Sequence, residues 1–322
     1  MHIFCSDGVA NSCIGEVLNE LADKGYSLDF VRGFMMKCTL PSKYGKAHED
    51  WLRDSRVKTH TLTSFAGVML TVVPIIFLFL CEFCEDSADL ADIMDIVKTL
   101  HFICGILSTG PEVPMIHISE LRTLISNFHA KFVLLFEKLK PKLHHMHHVI
   151  DAMEWLGKLL GCFVTERRHR AVKDAALHVF RYMEHTVLVD IVNKHCEQIV
   201  NGFDLFQHTF LERPSKCKMQ PDISRSSVAV LPSGRVSSKD VCFFDDMTCG
   251  RVLGFFLVNA EYFVEVELLN IVDNDPSLRT YAATTTRFIP CSNLVDSCIW
   301  HFTSRDNIIR VCVPPILLLR RV

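Results

Sequence analysis

Apolar residues recur at helical spacing over most of the N-terminal part of the chain and at alternating spacing toward its C-terminal end. Between Gly8 and Gly25, Ile14, Val17, Leu18 and Leu21 predict a short helix with Gly25 as its stop. The polar and charged stretch from Pro41 to Arg56 reads as loop. Phe65 to Leu80 is then apolar except for Thr71, with Pro74 inside it. From Asp89 to Leu107, Leu90, Ile93, Met94, Val97, Leu100, His101 and Cys104 share one face, and Gly110, Pro111 and Pro114 break the pattern. The clearest helix runs from Ser119 to Leu139, where Leu121, Leu124, Ile125, Phe128, Phe132, Leu135, Phe136 and Leu139 keep the helical repeat; Ser119 is expected to cap it and Pro141 to end it. A histidine-rich stretch, a short apolar piece from Trp155 to Leu160 and a break at Gly161 follow. A last long helix is expected from Glu166 to Val200, its apolar face running from Val172 through Val179 and Met183 to Val192, with Gly202 just past its end.

The character changes near Arg213. Pro214, Pro221, Ser224 to Ser227 and Pro232-Ser233-Gly234 read as a linker, and beyond it the residues favour strands: Val241 to Phe244, Arg251 to Val258, Tyr262 to Val272, Tyr281 to Ile289 and Ile308 to Val313. Short strands at this spacing suggest a small barrel or sandwich. The expected fold class is α+β: a mainly helical body over 1–212, a linker over 213–234 and a small all-β, barrel-like domain over 235–322.

Composition narrows the function classes. With 322 residues, 49% hydrophobic and 22% charged, the chain is core-forming, and its net charge of -3 means that any nucleic-acid site must be a local patch. Met1 to Ala10 carries neither a basic nor an apolar leader region, and the 14 cysteines follow no disulfide-like spacing, so a nuclear or cytoplasmic protein with reduced thiols is expected. Cys81 and Cys84 have C-x-x-C spacing without a matching second pair, a weak zinc signal. A membrane-crossing helix needs about 20 apolar residues. Phe65 to Leu80 falls short of that and stops at Cys81-Glu82, so a buried core helix is expected, with a single membrane segment as the alternative.

Candidate chemistry gathers between Lys138 and Arg181, where nine Lys/Arg stand against four acids in a chain that is acidic overall. On a helix, Glu166, Arg170, Lys173 and Arg181 fall on one stripe opposite the apolar face. A carboxylate in such a row can hold Mg²⁺ while the bases meet phosphates; the plainer reading is a solvated face with weak ion pairs. Lys140, Lys142 and Arg167 complete the set of candidate DNA contacts. His144 and His148 at i, i+4, or His144 and His147 at i, i+3, have spacing that lets two imidazoles share a zinc ion, although four histidines in five positions make such pairs inevitable. No Gly-rich phosphate loop and no nucleophile motif is present.

The stretch with Lys140, Pro141, Lys142, His144 and His145, followed by Phe163, Glu166, His169 and Lys173, resembles a recurring segment of eukaryotic cut-and-paste transposase-like proteins. The opening residues from Met1-His2 and the β-rich tail are similar to further parts of such proteins, the tail looking like a small SH3-like barrel. The resemblance implies a ribonuclease-H-like remnant with a helical insertion, in which Glu166 is the last member of an acidic triad that binds divalent metal. It supplies no other triad member: Asp7 is not at the matching position, and the carboxylates expected ahead of Met1 are not in this chain. Two-metal cleavage needs several carboxylates to fix the ions. The expectation is therefore a truncated, catalytically inactive, DNA-interacting protein, with Mg²⁺ relevant only to a complete site. A membrane-associated protein and a protein-interaction module without enzymatic activity are the alternatives.

Overall fold

Four amphipathic or apolar runs of the N-terminal half become helices, and the most apolar of them is packed by its neighbours. The computed structural model describes residues 8–42, 51–52, 57–58, 60–64, 66–108, 116–138, 140–156, 189, 209–216, 222–231, 234–245, 247–274, 278–303 and 308–313. Its helices are α1 (Val9–Asp23), α2 (Leu28–Met35), α3 (Ala66–Phe83), α4 (Ala91–Ser108), α5 (Ile116–Phe136) and α6 (Pro141–Leu156), with a minimal hairpin, β1 (Val57–Lys58) and β2 (Thr61–Leu62), between α2 and α3. Strands follow, all paired antiparallel. The α+β class, helices first and strands after, is what the chain adopts.

α3 sets the centre. Val72, Val73, Ile75, Ile76, Phe77, Leu78, Phe79 and Leu80 are each 2% exposed or less, so the helix is buried all round rather than on one face. Phe30 and Phe34 of α2 meet Phe79 and Phe83 edge to face, with centroids 5.0–5.8 Å apart. On another side His101 of α4 stacks on Phe77 at 5.5 Å. Among the described residues no helix is long and apolar enough to cross a membrane. α1 crosses the β1–β2 hairpin so closely that a Cβ on Gly15 would lie 2.4 Å from the Thr61 Cα, which only glycine allows.

The C-terminal strands are β3 (Phe210–Leu211), β4 (Ser215–Lys216), β5 (Ser224–Ser226), β6 (Val228–Leu231), β7 (Gly234–Ser237), β8 (Val241–Phe244), β9 (Cys249–Val258), β10 (Glu261–Asn274), β11 (Leu278–Pro290), β12 (Leu294–Cys298), β13 (Trp300–Thr303) and β14 (Ile308–Cys312). The main sheet runs β12-β8-β9-β10-β11-β14-β13, with β5 and then β4 added beside β9; β3, β6 and β7 form a second, three-stranded sheet. Strands β12 and β13 end the path unpaired with each other among the described residues, so the expected barrel is an open, curled sheet. The alternating pattern explains its two sides: Phe255, Val264 and Val266 point into a shared core, while Phe256, Phe263 and Phe288 point out.

Sheet and helices share one core, because Leu278, Ile299 and Cys312 pack into the helical cluster. Thr39 and Trp300 exchange backbone hydrogen bonds of 2.8 and 3.1 Å. Asp240, buried, accepts from the Ser42 amide and hydroxyl, both at 3.2 Å, and from the Ser237 amide at 2.8 Å. Arg310 of β14 donates to the Cys81 carbonyl at 3.2 Å and lies 3.0 Å from the Glu82 carboxylate, so it meets both a carbonyl and a charge in the last turn of α3.

Several elements differ from the sequence reading. Helix α5 begins at Ile116, so Ser119 is not its cap; its carbonyl accepts from the Thr123 hydroxyl instead. The helix ends at Phe136, where Glu137 takes a φ of 49°, and Pro141 opens α6, the first-turn position that suits a residue without an amide proton. The histidine-rich stretch is therefore helical. The stretch taken as linker, 213–234, holds β4, β5 and β6. Helix α2 and strands β12 and β13 had no counterpart in the periodicity, being short. The helix expected over 166–200 lies outside the described residues except for Val189.

His101 supplies a pH test of this packing. Its ring is buried, with Nε2 3.5 Å from the Cys312 Sγ, and burial pushes its pKa down from 6.5 to about 4, a shift that a backbone hydrogen bond with Val313 only partly offsets. Above pH 6.5 neither folded nor unfolded chain protonates this ring, and stability is complete. As pH falls from 6.5 to about 4 the unfolded state binds a proton that the folded state refuses, so stability drops, by roughly 3 kcal/mol at the end of that window. Urea unfolding from pH 7 to 4.5 should show this slope in the native chain and its loss in His101→Leu.

Candidate functional site

The basic stretch starts where α5 gives way to α6, and there the fold brings His60, Lys138 and Lys140 against Ser12 and Glu16 of α1. The close passage at Gly15 holds His60 of the hairpin turn beside Glu16, and the α5–α6 turn delivers Lys138 to the same carboxylate. Glu16 has a side chain only 5% exposed; its two oxygens lie 2.5 Å from the Lys138 Nζ and 2.6 Å from the His60 Nδ1. One turn earlier on α1, Ser12 accepts from the Lys140 Nζ at 2.6 Å. Glu16 and Ser12 face inward because they share the buried side of α1 with Cys13 and Val17.

Lys140 and Lys142, two of the expected DNA contacts, are thus half-buried at this junction and not on an open helix face. Both line a cavity of about 290 Å³ with Gly8, Val9, Ser12, Phe132, Pro141 and Leu143. Gly8 is the N-cap of α1, and no side chain caps that end. A positive dipole end without a side-chain cap and two ammonium groups together make a corner that favours an anion.

Along α6 the histidines divide between two faces. His147 turns inward to α5, where its Nε2 is 3.0 Å from the His129 Nδ1; burial first, then the nearby His129, lowers its pKa. His144 and His148 stay on the outer face with their Nε2 atoms 3.2 Å apart. The i, i+4 pair therefore converges, and the i, i+3 pair of His144 and His147 does not. Asp151 lies 3.5 Å from the His148 Nδ1 and accepts from Arg122 at 3.1 Å, and the hydrogen bond from Arg122 holds its carboxyl below the usual range.

Glu166, Arg167, Arg170, Lys173 and Arg181 lie outside the described residues. Among the described residues no group of three or more His, Cys, Asp or Glu is arranged to hold a metal ion. These residues offer no carboxylate set that fits two-metal chemistry, and no step is assigned to magnesium. Cys81 and Cys84 are buried, free thiols.

A second feature escaped the sequence reading. On the outer face of the main sheet, Phe256, Phe263 and Phe288 with Val258, Ile223, Ser215, Lys216 and Arg225 line a pocket of about 650 Å³. Phe256 and Phe288 meet edge to face at 5.4 Å, and the Arg225 guanidinium sits 5.3 Å from the Phe256 centroid. A Cβ at Gly254 would lie 3.5 Å from the Arg225 Nε, an ordinary contact, so the guanidinium passes close over this residue without requiring glycine there. The signal was available as aromatic residues at the outward positions of the alternation, but only the cross-strand register puts Arg225 opposite Phe256.

Compared with known proteins, the chain matches no protein-family model, no curated protein and no solved structure.

The Glu16 cluster makes a stability prediction. Lys138→Met removes the ammonium partner of a buried carboxylate and should cost roughly 2 kcal/mol in chemical unfolding. Adding Glu16→Gln should restore part of the loss, so that a double-mutant cycle gives a coupling clearly above zero; additive losses would show that the contact contributes nothing.

Proposed function

We propose that this chain is a transposase-derived protein that interacts with DNA and does not cut it by itself. The observation that carries the reading is the segment from Lys138 to Arg181, where the resemblance residues Lys140, Pro141, Lys142, His144, His145, Phe163, Glu166, His169 and Lys173 coincide with nine Lys/Arg against four acids. In this reading the helical body derives from a ribonuclease-H-like domain with a helical insertion, and its working place is the nucleus.

In this reading the basic residues divide by role. Lys138 and Lys140 pin the start of α6 to α1 through Glu16 and Ser12. With Lys142 beside them, the uncapped end of α1 favours a single backbone phosphate. Arg167, Arg170, Lys173 and Arg181 supply the remaining charge. The resemblance identifies a single triad member, Glu166, and two-metal cleavage needs several carboxylates, so this reading assigns the chain binding and not cutting.

Binding to duplex DNA should weaken linearly on a log–log plot against salt. Reversing two charges, Arg170→Glu with Lys173→Glu, should lower that slope by about 2 if each contacts one phosphate. Absence of binding at low salt, or a slope untouched by the reversals, removes this reading.

The outer sheet face favours a second reading, an interaction module for an extended peptide. The Phe256–Phe263–Phe288 floor takes an apolar side chain, and Lys216 and Arg225 at its rim attract flanking acids. Phe288 is 60% exposed, so Phe288→Ala should leave the fold intact while weakening capture of an acidic, apolar-anchored peptide by about tenfold in a fluorescence titration. Equal affinity in the variant would exclude the pocket as the anchor.

A further inference from the structure

We propose that His144 and His148 form a binding site for a divalent transition-metal ion of the copper, nickel or zinc type on the exposed face of α6. The inference is independent of the DNA reading. It rests on three placements: the converging ring nitrogens, the carboxylate behind one of them, and the burial of the thiols among the described residues.

The Nε2 atoms stand 3.2 Å apart. Two nitrogens bound to one ion at about 2.0–2.1 Å in tetrahedral geometry are about 3.3 Å apart, so the rings are already near the chelating arrangement. One turn of helix fixes this spacing, and a metal would order little that is not ordered already. Behind His148, Asp151 lies 3.5 Å from Nδ1. A carboxylate at that nitrogen keeps the proton there and leaves the lone pair on Nε2, where the ion would bind. Asp151 is itself held by Arg122, which also donates to Glu154 at 2.8 Å. This is a ligand with its outer support in place, and it separates the pair from a chance meeting of two surface rings.

Competing ligands are tied up or sealed. His147 is turned to His129. The described cysteines are buried, and burial raises the thiols of Cys13, Cys38 and Cys312, so they hold their protons. His145 is exposed beside the pair, its ring centroid 6.0 Å from those of His144 and His148, and does not complete a three-ligand group with them. Two firm protein ligands leave positions for water or an outside ligand, so the bound ion would be exchangeable. Imidazole donors select Cu²⁺ over Ni²⁺ and Zn²⁺, and exclude Mg²⁺ and Ca²⁺, which require oxygen.

The test is a calorimetric titration of the full chain, without a histidine tag, with Cu²⁺, Ni²⁺, Zn²⁺ and Mg²⁺. The expected result is saturable binding of one equivalent with Cu²⁺ tightest and Mg²⁺ silent. Affinity should fall roughly tenfold or more in His144→Ala and in His148→Ala, fall by roughly tenfold in Asp151→Asn, and stay unchanged in His129→Ala. All but His129 are exposed positions, and far-UV circular dichroism checks that each variant folds. Absence of saturable binding by the native chain, or an affinity within about twofold of native in the His144→Ala/His148→Ala double variant, overturns the proposal.

Discussion

Burial of α3 on every side is the constraint from which the rest of the structure follows. A helix with one apolar stripe needs one partner; this one, apolar all round, needs covering in every direction. Each fully buried Val, Leu, Ile or Phe contributes roughly 2 kcal/mol, so leaving any flank open would be expensive. Helix α2 supplies Phe30 and Phe34, α4 supplies the ring of His101, and α1 closes a further flank. At the C-terminal end of α3 the Tyr26 hydroxyl donates to the Phe83 carbonyl at 3.0 Å. Arg310, reaching in from β14, donates to the Cys81 carbonyl, which ties the last strands of the chain to its most apolar helix. The sheet is thereby part of the same cooperative unit, and Asp240 with Ser42 reinforces the seam at a second point.

What was legible in the sequence tracks how each element earns its stability. α1, α3, α4 and α5 carry long runs at one period, and β8, β9, β10, β11 and β14 carry clear alternation or apolar runs; these were readable as helices and strands. Helix α2, eight residues long, is held by the Ser27 cap and by aromatic contacts with α3, which no local repeat announces. Pro141 was read as a stop because its missing amide proton ends helices; the same property makes it a favourable first residue, and only the turn at Glu137 decides between the two. The stretch 213–234 looks like linker by composition, yet β5 pairs with β9 through Ser224 to Ser226, a case where partner availability overrides propensity. Closure of the barrel depends on strand tilt and shear, which alternation does not encode.

The candidate site shows the same division. Counting charges grouped Lys138 and Lys140 with the other basic residues of the segment and gave no sign that either is drawn inward. Lys138 and Lys140 are drawn in by a carboxylate and a hydroxyl more than a hundred positions away, on a face of α1 that reads as apolar. Long-range polar pairing of this kind leaves no periodic trace. Burial of Arg279, which stacks over Phe243 at 5.9 Å inside the sheet core, is equally silent in the sequence, where an arginine on a strand is expected to face water.

α6 joins these observations because its two ends do different work. Its first residues, held through Lys138 and Lys140, fix the helix in position and rotation against α1. Leu143, Met146, Ile150 and Met153 then bury one stripe, and His147 meets His129 along its edge. With the buried stripe fixed, geometry leaves His144 and His148 on the remaining face, one turn apart, with Asp151 behind them. The pinning contacts alone would anchor the helix with any polar residues on its outer face. That this face carries two imidazoles with converging nitrogens, and not the lysines and glutamates that solvate most helices, is the feature that packing does not require.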